Sequence, residues 1–275
     1  MLDLMTDEIL TRALREDIGT GDITTMSTVE PERRIMGRFV AKEEGILCGT
    51  QIAARVFALL DPEVQTRFTV REGERVEKGQ VIGTVEGNAR SILSGERVAL
   101  NFLQHLSGIA TKTRSLVEQV KGTKAKIADT RKTTPGLRTL EKYAVRIGGG
   151  RNHRFHLADG LMIKDNHIKA SGGITQAVEA ARAAAPHTLK IEVEVESFSQ
   201  LREALAAGAD IIMLDNMSLE DMKEAVEIVG GRAITEASGN MGDKDLAQVA
   251  ATGVDVISVG ALTHSVKAMD ISLKF

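Results

Sequence analysis

Ionisable residues gather in a few short segments of this chain. DTRKTTPGLR (129–138) carries Asp129, Arg131, Lys132 and Arg138, and GGGRNHRFH (148–156) carries Arg151, His153 and Arg154. LMIKDNH (161–167) adds Lys164, Asp165, Asn166 and His167, and three further apolar runs end near Glu194, Asp215 and Glu236. Arg131, Lys132, Arg154 and Lys164, with His153, form a cationic set in a chain of net charge −3. Such a set suits a small polyanion, because each charge-assisted hydrogen bond contributes about 1.5–3 kcal/mol. Glu194 and Asp215 are a carboxylate pair able to accept sugar hydroxyls, or to hold a divalent cation whose other ligands are phosphates. ASGN (237–240) and SVGALTHS (258–265) offer backbone N–H groups to a phosphate. Together these residues describe an enzyme acting on a phosphorylated sugar and a second anionic group, with the reaction type open. A Schiff-base lyase using Lys164, and a module that binds a phosphometabolite without turning it over, would draw on the same groups. Arg138 and Arg151 read as solvated loop charges.

The elements that must position these residues are legible in the pattern. AKIADT, GLMIKDN, LKIEVEVE, DIIMLDN, AITEASG and DVISVG are strand-like runs, with AVRIGG (144–149) a weaker one. Ala-rich helical stretches such as ITQAVEAARAAA and LEDMKEAVEIVG lie between them, the signature of a parallel sheet with crossover helices. Glu194, Asp215, Glu236 and Ser258 follow one another at 21, 21 and 22 residues, a period that predicts a barrel or barrel-like sheet. Six or seven strands are visible, so the barrel is expected to be open. Its strand ends converge on one mouth, with the last two loops as the phosphate seat.

The first hundred residues read differently. Residues 3–16 predict an amphipathic helix, and Ile35 to Gly87 predict hairpins punctuated by Glu72-Gly73, Lys78-Gly79 and Glu86-Gly87. A long helix capped by Ser94 is expected next, with Val98, Ala99, Phe102, Leu103, Leu106, Ile109 and Ala110 on one stripe.

Composition narrows the function classes. The 275 residues are 43% hydrophobic and 27% charged, enough for a core and a soluble surface. One cysteine, Cys48, excludes an intramolecular disulfide framework and a Cys-rich zinc site. Aromatics at 3%, without Trp, speak against a base-stacking platform, and the charge balance against a nucleic-acid coat. No run approaches the roughly 18 apolar residues of a membrane span, and MLDLMTDEIL lacks the features of a signal peptide. A cytoplasmic protein acting on something small is the expectation.

EDIGTGDIT (16–24), ERVALNFLQHLSGIATKT (96–113), DTRKTTPGLR, KYAVRIGGGRNHR (142–154), LMIKDNH, IEVEVES (191–197), MLDN (213–216), EASGN (236–240) and SVGALTHS occur in this order. Over essentially its entire length the chain resembles the quinolinate phosphoribosyltransferases, the carboxylating nicotinate-nucleotide pyrophosphorylases. The resemblance implies a pentosyltransferase. Quinolinate attacks 5-phosphoribosyl-1-pyrophosphate through its ring nitrogen, pyrophosphate leaves with Mg2+, and loss of CO2 yields nicotinate mononucleotide for NAD synthesis. It implies that Arg131, Lys132, His153 and Arg154 grip the carboxylates, and that Lys164 lies between quinolinate and pyrophosphate. Glu194 and Asp215 would hold ribose hydroxyls and Mg2+, while Ser238, Gly239, Gly260 and His264 seat phosphate. Lys132, Lys164, Glu194 and Asp215 are the implied catalytic set. Arg97 would reach the site of a neighbouring subunit in a homodimer, hexamers also occurring in the family. The implied fold is an N-terminal α/β sandwich (1–112, with 265–275 returning to it) and an open, about seven-stranded parallel α/β barrel (113–264). Asn240 departs from the family, many members having Gly there. A paralogous protein linked to molybdenum uptake shares the fold; TTPG and the intact NHR favour the quinolinate enzyme.

Overall fold

The computed structural model describes residues 4–275. Helix α1 (Leu4–Ile18) buries Leu10 and Leu14, four residues apart on one face, and ends at Gly19 with φ 57°. Asp3, included in the expected helix, lies outside the described residues. Asp22 caps α2 (Ile23–Thr28) by accepting the Thr25 N–H at 2.9 Å. Strand β1 (Arg34–Ala41) buries Gly37, Phe39 and Ala41 in alternation and is followed by the short β2 (Gly45–Ile46).

Helix α3 (Thr50–Leu60) has no counterpart among the expected hairpins. Its buried residues Ile52, Ala53, Val56 and Phe57 follow the helical period, and the Glu72 carboxylate accepts the N–H groups of Gly49 and Thr50 at its start. Strands β3 (Gln65–Phe68), β4 (Arg75–Val76) and β5 (Val81–Asn88) come next. Gly73 and Gly79 turn the chain at φ 85° and 86° as predicted. Gly87 does not: it lies inside β5 opposite Ile35, at a point where a Cβ would collide with Val64.

Helix α4 (Ala89–Gln119) is longer than its stripe suggested. Asn88 Oδ1 accepts the N–H groups of Arg90 and Ser91 at its start, whereas Ser94, the expected cap, lies inside and donates to Asp22. AVRIGG is helical up to Ile147, within α5 (Arg138–Ile147), where Leu140, Ala144 and Val145 are buried at helical spacing.

Two compact units emerge. One runs to Arg114 and includes Thr134–Gly149 and Val266–Phe275; the other comprises Ser115–Thr133 and Gly150–Ser265. The first holds a four-stranded antiparallel sheet in which the last strand, Ile271–Lys274, pairs with β1, β1 with β5, and β5 with β3.

The second unit is a six-stranded parallel sheet of β6 (Lys126–Ala128), β7 (Leu161–Ile163), β8 (Ile191–Val195), β9 (Ile211–Asp215), β10 (Ile234–Ser238) and β11 (Val256–Ser258). Its order is β6-β11-β10-β9-β8-β7, so that it remains open between β6 and β7. Where about seven strands were expected, the seventh is a single parallel bridge between Ala128 and Arg151. The glycine-rich GGGRN segment supplies no apolar alternation to extend it. Register sets the interior rows: Glu194, Met213, Glu236 and Val256 lie side by side. Glu192 stands beside Met162 in the row below, and Asp215 beside Ser238 in the row above. The alternate residues Val193, Val195, Ile212, Leu214, Ala237 and Ile257 are buried on the opposite face, where crossover helices cover a parallel sheet. Among the described residues no helix is long and apolar enough to cross a membrane.

Candidate active site

The C-terminal ends of the parallel strands enclose a cavity of about 220 Å3. Lys164 enters it from the end of β7, Met213 from β9, Glu236 and Ser238 from β10, and Ser258 from β11. The loop after β6 contributes Arg131 and Lys132, and the loop after the Arg151 bridge contributes His153 and Arg154.

These loops are held by buried polar groups. Asp129, fully buried, accepts Asn152 Nδ2 at 2.6 Å and the His153 N–H at 2.8 Å, so one carboxylate fixes both cationic segments. Arg154 donates to the Gly160 carbonyl at 2.8 Å. Burial, then the neighbouring Arg131, holds its guanidinium below the usual arginine range. Thr263 Oγ1 donates to the Lys132 carbonyl at 2.7 Å and ties that loop to the helix Ala261–His264. A Cβ at Gly260 would lie 3.1 Å from Lys132 Cδ and 3.2 Å from His264, so glycine lets the lysine stem pass.

Lys164 Nζ donates to Glu194 Oε2 at 2.9 Å. Asp215 accepts Asn216 Nδ2 at 2.7 Å. Gly239 turns at φ 95° against Asn216, which leaves no room for a Cβ. Asn240 takes φ 50°, the left-handed conformation that asparagine tolerates better than most residues, so the departure from Gly keeps the turn. His264 is exposed, with Nδ1 2.7 Å from Ser265 Oγ.

Of the residues singled out in the sequence, Arg131, Lys132, His153, Arg154, Lys164 and Ser238 line the cavity itself. Glu194 joins through its ion pair, Asp215 and Gly239 through the strand ends beside Ser238, and Gly260 and His264 through Lys132. Arg97 lies exposed on α4 of the first unit and is not part of this set.

The sequence pattern gives Glu236 as a strand-end charge without a role, and does not single out Glu192. Both are almost fully buried, at 4% and 3% exposure. His153 Nε2 lies 3.2 Å from Glu192 Oε2 and 3.6 Å from Glu236 Oε1. Burial and the Glu192 charge push the Glu236 carboxyl up to about 7, against a smaller opposing effect of His153. The alternation of IEVEVE held the missing signal, since a period of two puts Glu192 on the face of Glu194. The three side chains offer ligand atoms within 4.8 Å of one another, as a metal would require. The Arg154 N–H, however, donates to His153 Nδ1 at 2.8 Å, which leaves the imidazole proton on Nε2, facing the carboxylates. His153 therefore turns its Nε2 proton toward Glu192, with Glu236 just beyond hydrogen-bond distance. Glu194 and Asp215, on the neighbouring strands β8 and β9, are the other carboxylates at this end of the sheet.

The family model for the quinolinate phosphoribosyl transferase C-terminal domain matches residues 109–274, and that for the N-terminal domain matches residues 22–107. The chain belongs to the quinolinate phosphoribosyl transferase family. It is 50% identical over 273 residues to the Bacillus subtilis protein named "Probable nicotinate-nucleotide pyrophosphorylase (carboxylating)", covering 99% of this chain and 94% of that one. It is 46% identical over 274 residues to the nicotinate-nucleotide pyrophosphorylase (carboxylating) of Mycobacterium leprae, covering 97% and 95%. The crystal structure of NadC from Streptococcus pyogenes, 46% identical, superposes with a TM-score of 0.94 over 100% of this chain and 98% of that one. The cation-lined cavity lies within the stretch matched by the C-terminal domain model.

Proposed function

We infer that the protein transfers the phosphoribosyl group of 5-phosphoribosyl-1-pyrophosphate to the ring nitrogen of quinolinate and decarboxylates the adduct. The products are nicotinate mononucleotide, pyrophosphate and CO2, a step of NAD biosynthesis. The observation that carries this reading is a full-length family match whose most basic segments, 129–138 and 148–156, border one small cavity. At about 220 Å3 the cavity is below the ~300–1,000 Å3 of clefts for drug-sized ligands. That size suits one pyridine ring, with the larger donor held by the loops at the mouth.

Arg131, Lys132 and Arg154 bind the two carboxylates and orient the ring nitrogen toward the mouth. Ser238, Gly239, Gly260 and His264 border the loops that would take phosphate. Glu194 and Asp215 accept ribose hydroxyls and would hold Mg2+, which when bound draws charge from the leaving pyrophosphate. Nitrogen attack makes the ring cationic, and that cation holds the electron pair left at C2 when CO2 departs. A Schiff base at Lys164 is disfavoured by the 2.9 Å ion pair with Glu194, which engages the nitrogen whose lone pair such chemistry needs. The active unit in this reading is a homo-oligomer, dimer or hexamer, in the cytoplasm. Its exposed Arg97 reaches a neighbouring subunit's site.

The test is quinolinate-dependent release of pyrophosphate and CO2 by the purified protein. Equimolar release supports the reading; binding of both substrates without release of either product overturns it.

A further inference from the structure

The acids at the floor of the cavity have no use in gripping a dicarboxylate, which they would repel. Glu236 and Glu192 nevertheless face the interior on β10 and β8, each with an Oε1 atom that is buried and unpartnered. The Nε2 proton of His153 faces Glu192 Oε2 at 3.2 Å, with Glu236 Oε1 farther off at 3.6 Å, and two carboxylates so close in a buried site cannot both ionise. One of the pair retains a proton. The other groups facing Glu236 are Lys164 from the end of β7, Arg154 from its loop and Ser258 from β11.

Glu236 also borders a second cavity. At the N-terminal ends of the strands, a space of about 540 Å3 is lined by Lys126, Leu161, Ile211 and Val256, the first residues of β6, β7, β9 and β11. Its lining includes Glu192, Glu236 and His153, and Glu236 and His153 line the upper cavity as well. The acid cluster therefore partitions the interior, with the substrate cavity on one side and an opening at the far end of the sheet on the other.

The decarboxylation inferred above has a requirement that the cationic residues meet poorly. When the bond from C2 to its carboxylate breaks, CO2 leaves and the electron pair remains on C2, which must then take one proton. Lys and Arg are far weaker acids than a carboxylic acid, with ordinary values near 10.4 and above 12, and here they hold carboxylates. We propose that Glu236 delivers this proton to C2 and is recharged from water through the cavity at the N-terminal ends of the strands. The O–H bond of the Glu236 carboxyl breaks, a C2–H bond forms, and the resulting carboxylate is reprotonated by a solvent proton carried in through water, the one proton each turnover consumes. No oxidant, reductant or further co-reactant is needed. The proposal rests on the inferred transferase activity and adds to it the identity of the acid in its second step.

The test separates the two steps. In single-turnover quench experiments with Glu236→Gln, the second step should be lost selectively, pyrophosphate appearing well ahead of nicotinate mononucleotide. Formation of nicotinate mononucleotide should fall by about 100-fold or more, with quinolinate mononucleotide accumulating. Glu236→Asp, which keeps an acid, should restore much of the second step. Product formation that keeps pace with pyrophosphate in the Gln variant overturns the proposal, as does an equal loss of both steps in a folded variant. If the Gln variant does not fold, the wild type decides. Its product-forming step should slow as pH rises above about 7 while pyrophosphate release does not, and a flat profile overturns the proposal. Failure of the wild type to release pyrophosphate at all would instead count against the transferase reading.

Discussion

Lys132 has its stem beside Gly260 and its carbonyl tied to Thr263, and in the inferred reaction it serves quinolinate more than the phosphoribosyl donor. Lys132→Ala should weaken quinolinate binding by about tenfold or more, the loss of one charge-assisted contact, and donor binding less; isothermal titration of each ligand checks this. Asp215→Asn should mainly lower kcat and flatten the dependence of rate on Mg2+ concentration. Glu236 gives a stability prediction whose sign follows from its raised value. The folded chain holds its proton up to about 7, whereas the unfolded one releases it near 4.5. Stability contributed by the protonated form is complete below about 4.5 and is lost as pH rises to about 7. Glu236→Gln should remove that loss, so thermal midpoints compared at pH 5 and pH 8 should fall less in the variant than in the wild type. At this scale the basic residues and Glu194 were visible from residue type and strand-end position. The fixed tautomer of His153 was not, because it depends on an N–H supplied by Arg154 in the folded loop.

Among the elements, those with many residues in one period were readable, and those defined by a single contact were not. The strands β8, β9 and β10 follow directly from their apolar runs and 21-residue spacing. Helix α3 was hidden inside a stretch bounded by hairpin glycines, and AVRIGG, apolar and β-branched enough to resemble a strand, is instead the end of a helix. In AVRIGG packing overrides local propensity, whereas α3 carries a helical period of its own that the flanking strand-like runs masked. The loop 151–154 shows the energetic side of this. Asp129→Ala would leave the His153 N–H and the Asn152 amide without their buried acceptor, costing about 1–3 kcal/mol. Chemical denaturation should show that loss, together with a lower kcat/KM for quinolinate. Asp129→Asn, which keeps one acceptor, should recover part of it.

For the whole molecule, the inferred use of Arg97 by a neighbouring subunit makes activity a property of the oligomer. Mixing inactive Arg97→Ala and Lys132→Ala subunits under conditions of proven exchange should restore a measurable fraction of wild-type turnover; no recovery would separate Arg97 from the partner's site. The chain by itself determined that there is a parallel, helix-crossed sheet, that cations cluster at its strand ends and which family these motifs resemble. Each of these is written in neighbouring residues, as a period of two, a βα repeat or a contiguous motif. Tertiary structure alone decided that β8, β10 and the loop after Arg151 bring Glu192, Glu236 and His153 within 4.8 Å. It also decided that the seventh strand shrinks to one bridge, and that a second cavity opens beneath the acids. Those facts depend on the register and curvature of strands distant in the chain, and no local pattern of residues encodes the distances between them.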